Sequence, residues 1–289
     1  MLPLKNITEE IAVLEAHKMK KRILSAVVLV PLLLIVLYVL PKIVAVVVVS
    51  LLSAIAAYEL LFNTGFVRHM RLVIYSMVFA ALVPVWGHFG MDSVWASVCV
   101  LAFFALMFME MMLSQMKLRF EKCALCIVAG LLIPYLLSSL TRILSPEGGR
   151  YVILIPFVVA FLSDSGAYFI GCRFGKRKLA PVISPHKSVE GMIGGIVTAV
   201  IGMLLYCVIL QLIFKCEVNY GFALVYGILG SLAGVFGDLC FSVIKRQTGI
   251  KDYGNLIPGH GGVLDRFDSM LTVGPLVEIL LILLPVVVK

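Results

Sequence analysis

The chain has 289 residues, of which 62% are hydrophobic and 14% charged, with a mean hydropathy of +1.09 and a formal net charge of +8. That apolar share excludes an ordinary soluble domain. Basic residues gathered on one face of a membrane account for the charge, so no nucleic-acid partner is expected.

Apolar stretches of about 18 to 24 residues recur along the whole length, each long enough to cross a hydrocarbon core as a helix. They are continuous rather than alternating, which favours helices over a barrel. The expected fold is all-α, a polytopic membrane helical bundle with about nine spans at 23–40, 43–62, 72–88, 92–112, 123–141, 151–172, 191–214, 221–244 and 269–288.

Residues 1–22 combine a helix start at Asn6-Ile7-Thr8-Glu9 with Ile7, Ile11 and Leu14 and then Lys18, Lys20, Lys21 and Arg22. This pattern predicts a short interfacial helix with an anchoring basic end. The first span reads as a retained signal anchor, because no small-residue cleavage pattern precedes Pro41-Lys42. In the second and fourth spans, Glu59 and Glu110 sit near cytoplasmic helix ends, where interfacial pairing is cheap, and a structural role is expected for both. Cys123 and Cys126 form a Cys-x-x-Cys pair with no second pair to complete a zinc site.

The sixth span places Ala160, Ser163, Asp164, Ala167, Tyr168 and Gly171 on one face that leads to the basic run Arg173 to Lys178. Beyond it, Ser188 is placed to cap the seventh helix, with Glu190 in its first turn and Lys187 beside backbone N–H groups suited to a phosphate. In the eighth span, Gly227, Gly230, Ser231, Gly234, Gly237, Asp238, Ser242 and Lys245 recur at spacings of three and four. The glycines predict close helix packing. An aspartate and a lysine on the same face predict function.

The run from Lys245 to Asp268 then gathers Lys245, Arg246, Lys251 and Arg266, which can neutralise phosphate oxygens, with Asp252, Asp265 and Asp268, hard ligands suited to magnesium. His260 lies in the turn Pro258-Gly259-His260-Gly261-Gly262, whose glycines allow close approach of a ligand to main chain. Glu278 stands in the last span, where it either pairs with a cation or tunes a pocket. P-loop and zinc-protease signatures are absent.

Nineteen of the 24 Lys and Arg fall in 1–22, 63–71, 113–122, 173–190 and 245–268, leaving Lys42, Arg142, Arg150, Lys215 and Lys289 for the other side. The positive-inside rule therefore predicts a cytoplasmic N-terminus and a cytosolic 245–268 loop. A membrane-embedded carboxylate set also admits an ion-coupled transporter, but polarity concentrates in the cytosolic loops rather than at the midplane.

The segment FSVIKRQTGIKDYGNLIPGHGGVLDRFD closely resembles the signature of phosphatidate cytidylyltransferases, also called CDP-diacylglycerol synthases, and SDSGAYFIGCRFGKRKLAPVISPHKSVEG resembles a second common stretch of that family. One departure is His186, which stands where many members carry lysine. The resemblance implies transfer of a cytidylyl group from CTP to phosphatidic acid in phospholipid biosynthesis, with Mg2+, at a cytoplasmic (inner) membrane and with a homodimer as the expected assembly. It implies Asp238, Lys245 and Asp265 as catalytic, Asp238, Asp265 and Asp268 as metal ligands, and Lys187, Ser184, Ser242, Arg246, Lys251, His260 and Arg266 as substrate-binding, with Asp164 nearby. His260 is not needed as a base, because the lipid phosphate is already anionic. A CTP-dependent lipid kinase would use the same chemistry and is the competing enzyme reading. The chain then divides into an N-terminal segment 1–22, helices 23–150, and a catalytic membrane region 151–289 with cytosolic loops 173–190 and 245–268.

Overall fold

The computed structural model describes residues 27–89, 94–115, 117–256 and 261–288. The N-terminal interfacial segment, the first residues of the first expected span and His260 lie outside the described residues. The chain is mostly helical: α1 Val27–Val39, α2 Lys42–Asn63, α3 Met70–Phe89, α4 Val94–Leu113, α5 Phe120–Leu144, α6 Gly149–Phe174, α7 Val189–Ile213 and α8 Tyr220–Thr248. A short α9 Leu264–Phe267 precedes α10 Met270–Leu283. Seven of these, α2 to α8, are long and apolar enough to cross a membrane, while α1 and α10 are shorter apolar helices.

Local chemistry explains where the helices stop. At the C-terminus of α8, Gly249 adopts a left-handed conformation (φ 71°) and its N–H donates to the Arg246 carbonyl, releasing the chain into the 250–263 loop. The α10 helix ends at Leu283, and Leu284 (φ −136°, ψ 68°) has left the helical region, which a following proline, Pro285, disfavours. Its 14 residues therefore reach only about 21 Å, shorter than the 269–288 span expected from hydropathy. The eighth helix shows the opposite difference, running through Thr248 so that Lys245 and Arg246 lie on the helix rather than in the loop.

Two small antiparallel ribbons accompany the helices. β1 Lys178–Ala180 pairs with β2 Ser184–Ser188, with Lys178 opposite Ser188 and Ala180 opposite Ser184. β3 Glu217–Val218 pairs with β4 Val287–Val288. Because α7 runs between the two ribbons for 25 residues, they lie at opposite ends of the bundle. The sequence did not predict strands in either place, since pieces of two to five residues carry no periodicity.

Small residues let α6, α7, α8 and α10 approach. Ser163 of α6 and Ser231 of α8 hydrogen-bond across the buried interface at 2.6 Å. A Cβ added at Gly195 would stand 2.8 Å from the Ser163 carbonyl, and one at Gly227 would stand 2.6 Å from the Val200 Cα. Backbone cannot yield as a flexible side chain can. Gly227→Ala is therefore expected to cost about 1–3 kcal/mol by overpacking, seen as a lower thermal unfolding midpoint in detergent.

Candidate active site

The small-residue face of α8 changes character toward its C-terminal end. Gly230, Gly234 and Gly237 are buried against α6 and α10, and one turn further Asp238, Ser242 and Lys245 continue the same stripe as polar groups. Ser242 Oγ donates to Asp238 Oδ1 at 3.1 Å. The other oxygen, Asp238 Oδ2, is 2.5 Å from Lys187 Nζ, which the β1–β2 ribbon delivers from 51 residues away in sequence. Both carboxylate oxygens are thus held from different elements, with the acid still partly exposed (29%).

The loop after α8 folds back on this helix. Tyr253 is fully buried, its hydroxyl donates to the Phe241 carbonyl at 2.9 Å, and its ring packs edge-on against Phe241. Asp265, in the first turn of α9, ties the two limbs of the loop together: Oδ2 accepts from the Tyr253 N–H at 2.7 Å and the Gly262 N–H at 3.0 Å. Its Oδ1 is 3.0 Å from Lys245 Nζ, whose ammonium also lies 5.5 Å from the centre of the Tyr253 ring. Charge-assisted bonds of this kind are the stronger class.

Asp164 on α6 and Asp268 between α9 and α10 face the same region. Asp268 is nearly buried, with Oδ1 accepting the Ser269 N–H at 2.7 Å. Burial, and then the like charge of Asp238, push its carboxyl above the usual carboxylate range. Asp164 keeps exposed surface, hydrogen-bonds Ser269, and has Asp238, Lys187 and Arg266 as its charged neighbours. Three carboxylates, from α6, α8 and the α9–α10 junction, are therefore close enough to influence one another and are interleaved with Lys187, Lys245 and Arg266. Among the described residues no three His, Cys, Asp or Glu side chains are already converged as a metal cage. The donor set nevertheless suits a hard divalent cation, because it consists of carboxylate oxygens whose like charges repel in a partly dehydrated setting.

The remaining expected residues fall around this centre. Ser184 opens β2 and is half-buried, while Arg246 Nε donates to the Ile183 carbonyl at 3.1 Å, so that this arginine latches the ribbon onto α8. Lys251, Asp252 and Arg266 are exposed beside the loop. Ser188 caps α7 as expected, accepting from the Gly191 N–H at 3.1 Å. Glu190 accepts from the Lys176 and Arg177 N–H groups, which fastens the entry to the ribbon.

Two residues outside the expected set also reach the loop. Glu59, at the end of α2, is 2% exposed and accepts from the Val263 and Leu264 N–H groups at 3.0 and 2.9 Å. Asn63 Nδ2 donates to the Tyr253 carbonyl at 2.7 Å. The available signal was Glu59 itself, a carboxylate in an apolar run. Proximity to a helix end gave a cheaper explanation than burial.

Other singled-out groups lie elsewhere. Glu278 pairs with Arg142, and Glu110 accepts from Tyr75 at 3.4 Å. Cys123 and Cys126 are buried free thiols. A cavity of about 690 Å3 lined by Arg68, His69, Arg71, Glu110 and Lys117 shares no residue with the carboxylate cluster.

Comparison with known proteins places the chain in a family. A phosphatidate cytidylyltransferase of Staphylococcus epidermidis is 42% identical over 172 residues, covering 59% of this chain and 63% of the relative. The phosphatidate cytidylyltransferases of Staphylococcus haemolyticus and Staphylococcus aureus are 41% identical over 172 and 174 residues with the same coverage. The chain thus spans somewhat less than two thirds of the length of these curated relatives. The model of the Cytidylyltransferase family matches residues 20–284, which include every carboxylate and lysine of the cluster, and the chain belongs to that family.

Proposed function

We propose that this protein transfers the cytidylyl group of CTP to phosphatidic acid, giving CDP-diacylglycerol and pyrophosphate. The observation that carries the reading is the cluster around Asp238, where carboxylates and lysines meet toward the C-terminal end of α8. An anionic lipid head group and a nucleoside triphosphate need such a place: cations for the phosphates, hard oxygen ligands for a metal, and an opening to both lipid and water.

The topology that fits has nine spans, α1 and α10 completing the seven long helices, with the N-terminus and the 245–268 loop in the cytosol of a cell whose inner membrane holds the protein. The bias of basic residues supports it. Residues 151–289 then supply the chemistry, residues 23–150 brace them, and residues 1–22 lie at the cytoplasmic interface. A homodimer is the assembly this reading expects.

In the reaction, a phosphate oxygen of phosphatidic acid attacks the α-phosphorus of CTP. A new P–O bond forms, the bond to the bridging oxygen of the β-phosphate breaks, and pyrophosphate leaves with that electron pair. The nucleophile is already anionic, so no side chain has to remove a proton. Lys187, Lys245, Lys251 and Arg266 neutralise phosphate oxygens, Ser242 orients Asp238, and Arg246 with Ser184 keeps the β1–β2 ribbon beside the substrates. Catalysis rests on positioning and electrostatics.

Asp238, Asp265 and Asp268 are the residues to hold magnesium, which when bound supplies positive charge to the reacting phosphates. Lys187 and Lys245, which neutralise Asp238 and Asp265 in the structure, are then available to phosphate oxygens. His260 belongs to the same loop as a substrate contact. The test is pyrophosphate release by the purified protein: it is expected only when CTP, phosphatidic acid and Mg2+ are all present. Release that persists without the lipid, or transport of an ion in proteoliposomes without CTP, would count against the reading.

A further inference from the structure

The long reach of Glu59 is the feature that the proposed chemistry does not use. It comes from α2, about two hundred residues before the loop it touches, and its carboxylate is buried. One oxygen takes the Val263 N–H and the other the Leu264 N–H, so the carboxylate bridges two successive backbone donors at the start of α9. Asn63, four residues on, takes the other limb of the loop through the Tyr253 carbonyl. Both side chains belong to the π-helical turn Glu59–Asn63 that ends α2, a geometry frequent at functional positions.

The loop is shaped to receive that carboxylate. A Cβ at Gly254 would stand 2.5 Å from Glu59 Oε1, and one at Gly262 would overlap Oε1 and stand 2.5 Å from Oε2. Neither glycine is among those with positive φ, so what a side chain there would meet is the Glu59 carboxylate rather than backbone strain. These two glycines of the signature thus make room for a glutamate of the protein itself. Asp265 crosses the same two limbs through Tyr253 and Gly262 while holding Lys245, so any shift of the loop moves both groups.

We propose that Glu59 is a positioning residue: α2 fixes the signature loop through a two-oxygen clamp fitted against Gly254 and Gly262, and thereby sets Asp265 and Lys245 for reaction. The catalytic part of this inference rests on the cytidylyl-transfer reading, whereas the clamp itself does not. Glutamine is the informative replacement. It keeps size and shape but presents one N–H2 group to a backbone N–H, leaving two donors face to face.

The test combines turnover with hydrogen exchange in the full-length protein, using the folded, monodisperse fraction of each variant. Glu59→Gln is expected to lower kcat by about 10- to 100-fold, the usual effect of losing an outer-shell partner, with KM for phosphatidic acid unchanged and faster exchange in peptides covering 250–264. Gly262→Ala is expected to lose activity comparably, because its methyl group meets the clamp. Shortening the acid by one methylene should relieve that overlap, so Glu59→Asp combined with Gly262→Ala is expected to turn over faster than Gly262→Ala alone.

A Glu59→Gln protein with wild-type kcat, or a double variant no faster than Gly262→Ala, would overturn the positioning role. If the wild-type protein makes no CDP-lipid, the functional reading fails, but exchange still decides the clamp: unchanged protection of 250–264 in Glu59→Gln would refute it.

Discussion

Replacing Asp238 by asparagine is expected to lower CTP turnover by at least about 100-fold, the scale seen when one charge-stabilising group is removed from a reaction centre. The side chain keeps its shape and can still accept from Ser242, so insertion and folding should persist. What changes is the charge. Lys187 loses its partner at 2.5 Å, and a carboxylate whose charge is felt at Asp268 becomes neutral. The measurement is pyrophosphate release per folded molecule, alongside the thermal midpoint in detergent. Asp265→Asn should differ informatively, because its new N–H2 group would face the Lys245 ammonium or the Tyr253 and Gly262 donors. It is expected to lose activity and also loosen the 250–263 loop, whereas Asp238→Asn leaves loop exchange unchanged.

A large loss of stability is expected far from the chemistry. Arg142 near the end of α5 makes a two-bond pair with Glu278 on α10, Nε to Oε1 at 2.6 Å and the terminal nitrogen to Oε2 at 2.7 Å. The same guanidinium donates to Ser138 and stacks 4.5 Å from the centre of the Tyr135 ring. Arg142→Met leaves a carboxylate unpaired inside the bundle and is expected to cost up to about 3 kcal/mol. Adding Glu278→Leu should recover most of that loss, because an apolar pair no longer carries the desolvation of two ions. Glu278 lies ten positions beyond Asp268, about 15 Å at helical rise, so turnover per folded molecule should stay at the wild-type level in both variants. Thermal unfolding in detergent measures the first effect and the CTP assay the second.

The long helices were legible because an apolar run of sufficient length has few other solutions in a membrane. The face of α8 was legible for the same kind of reason, since spacings of three and four stack Gly230, Gly234, Asp238 and Ser242 whatever surrounds them. Short-range devices such as the Ser188 cap also follow from a few adjacent residues.

What escaped depends on long-range contacts or on local backbone detail. No spacing indicates that Lys187 meets Asp238, or that Arg142 answers the question left open by Glu278. Glu59 was placed near a helix end and given an interfacial role, yet its π-helical turn and the missing side chains of Gly254 and Gly262 admit it to the loop. Gly262 lies in the turn whose glycines suggested close approach of main chain to a ligand. In the structure the group that approaches Gly254 and Gly262 is a carboxylate of the same chain.

The central claim is transfer of the cytidylyl group to a lipid phosphate, and the fate of label from CTP tests it most directly. Purified protein is incubated with Mg2+, phosphatidic acid and CTP labelled at either the α- or the γ-phosphorus, and the extracted lipid is counted. The account predicts α-label in the lipid and γ-label in pyrophosphate. Label from the γ-phosphorus in the lipid, with CDP released, would contradict it and identify a lipid kinase.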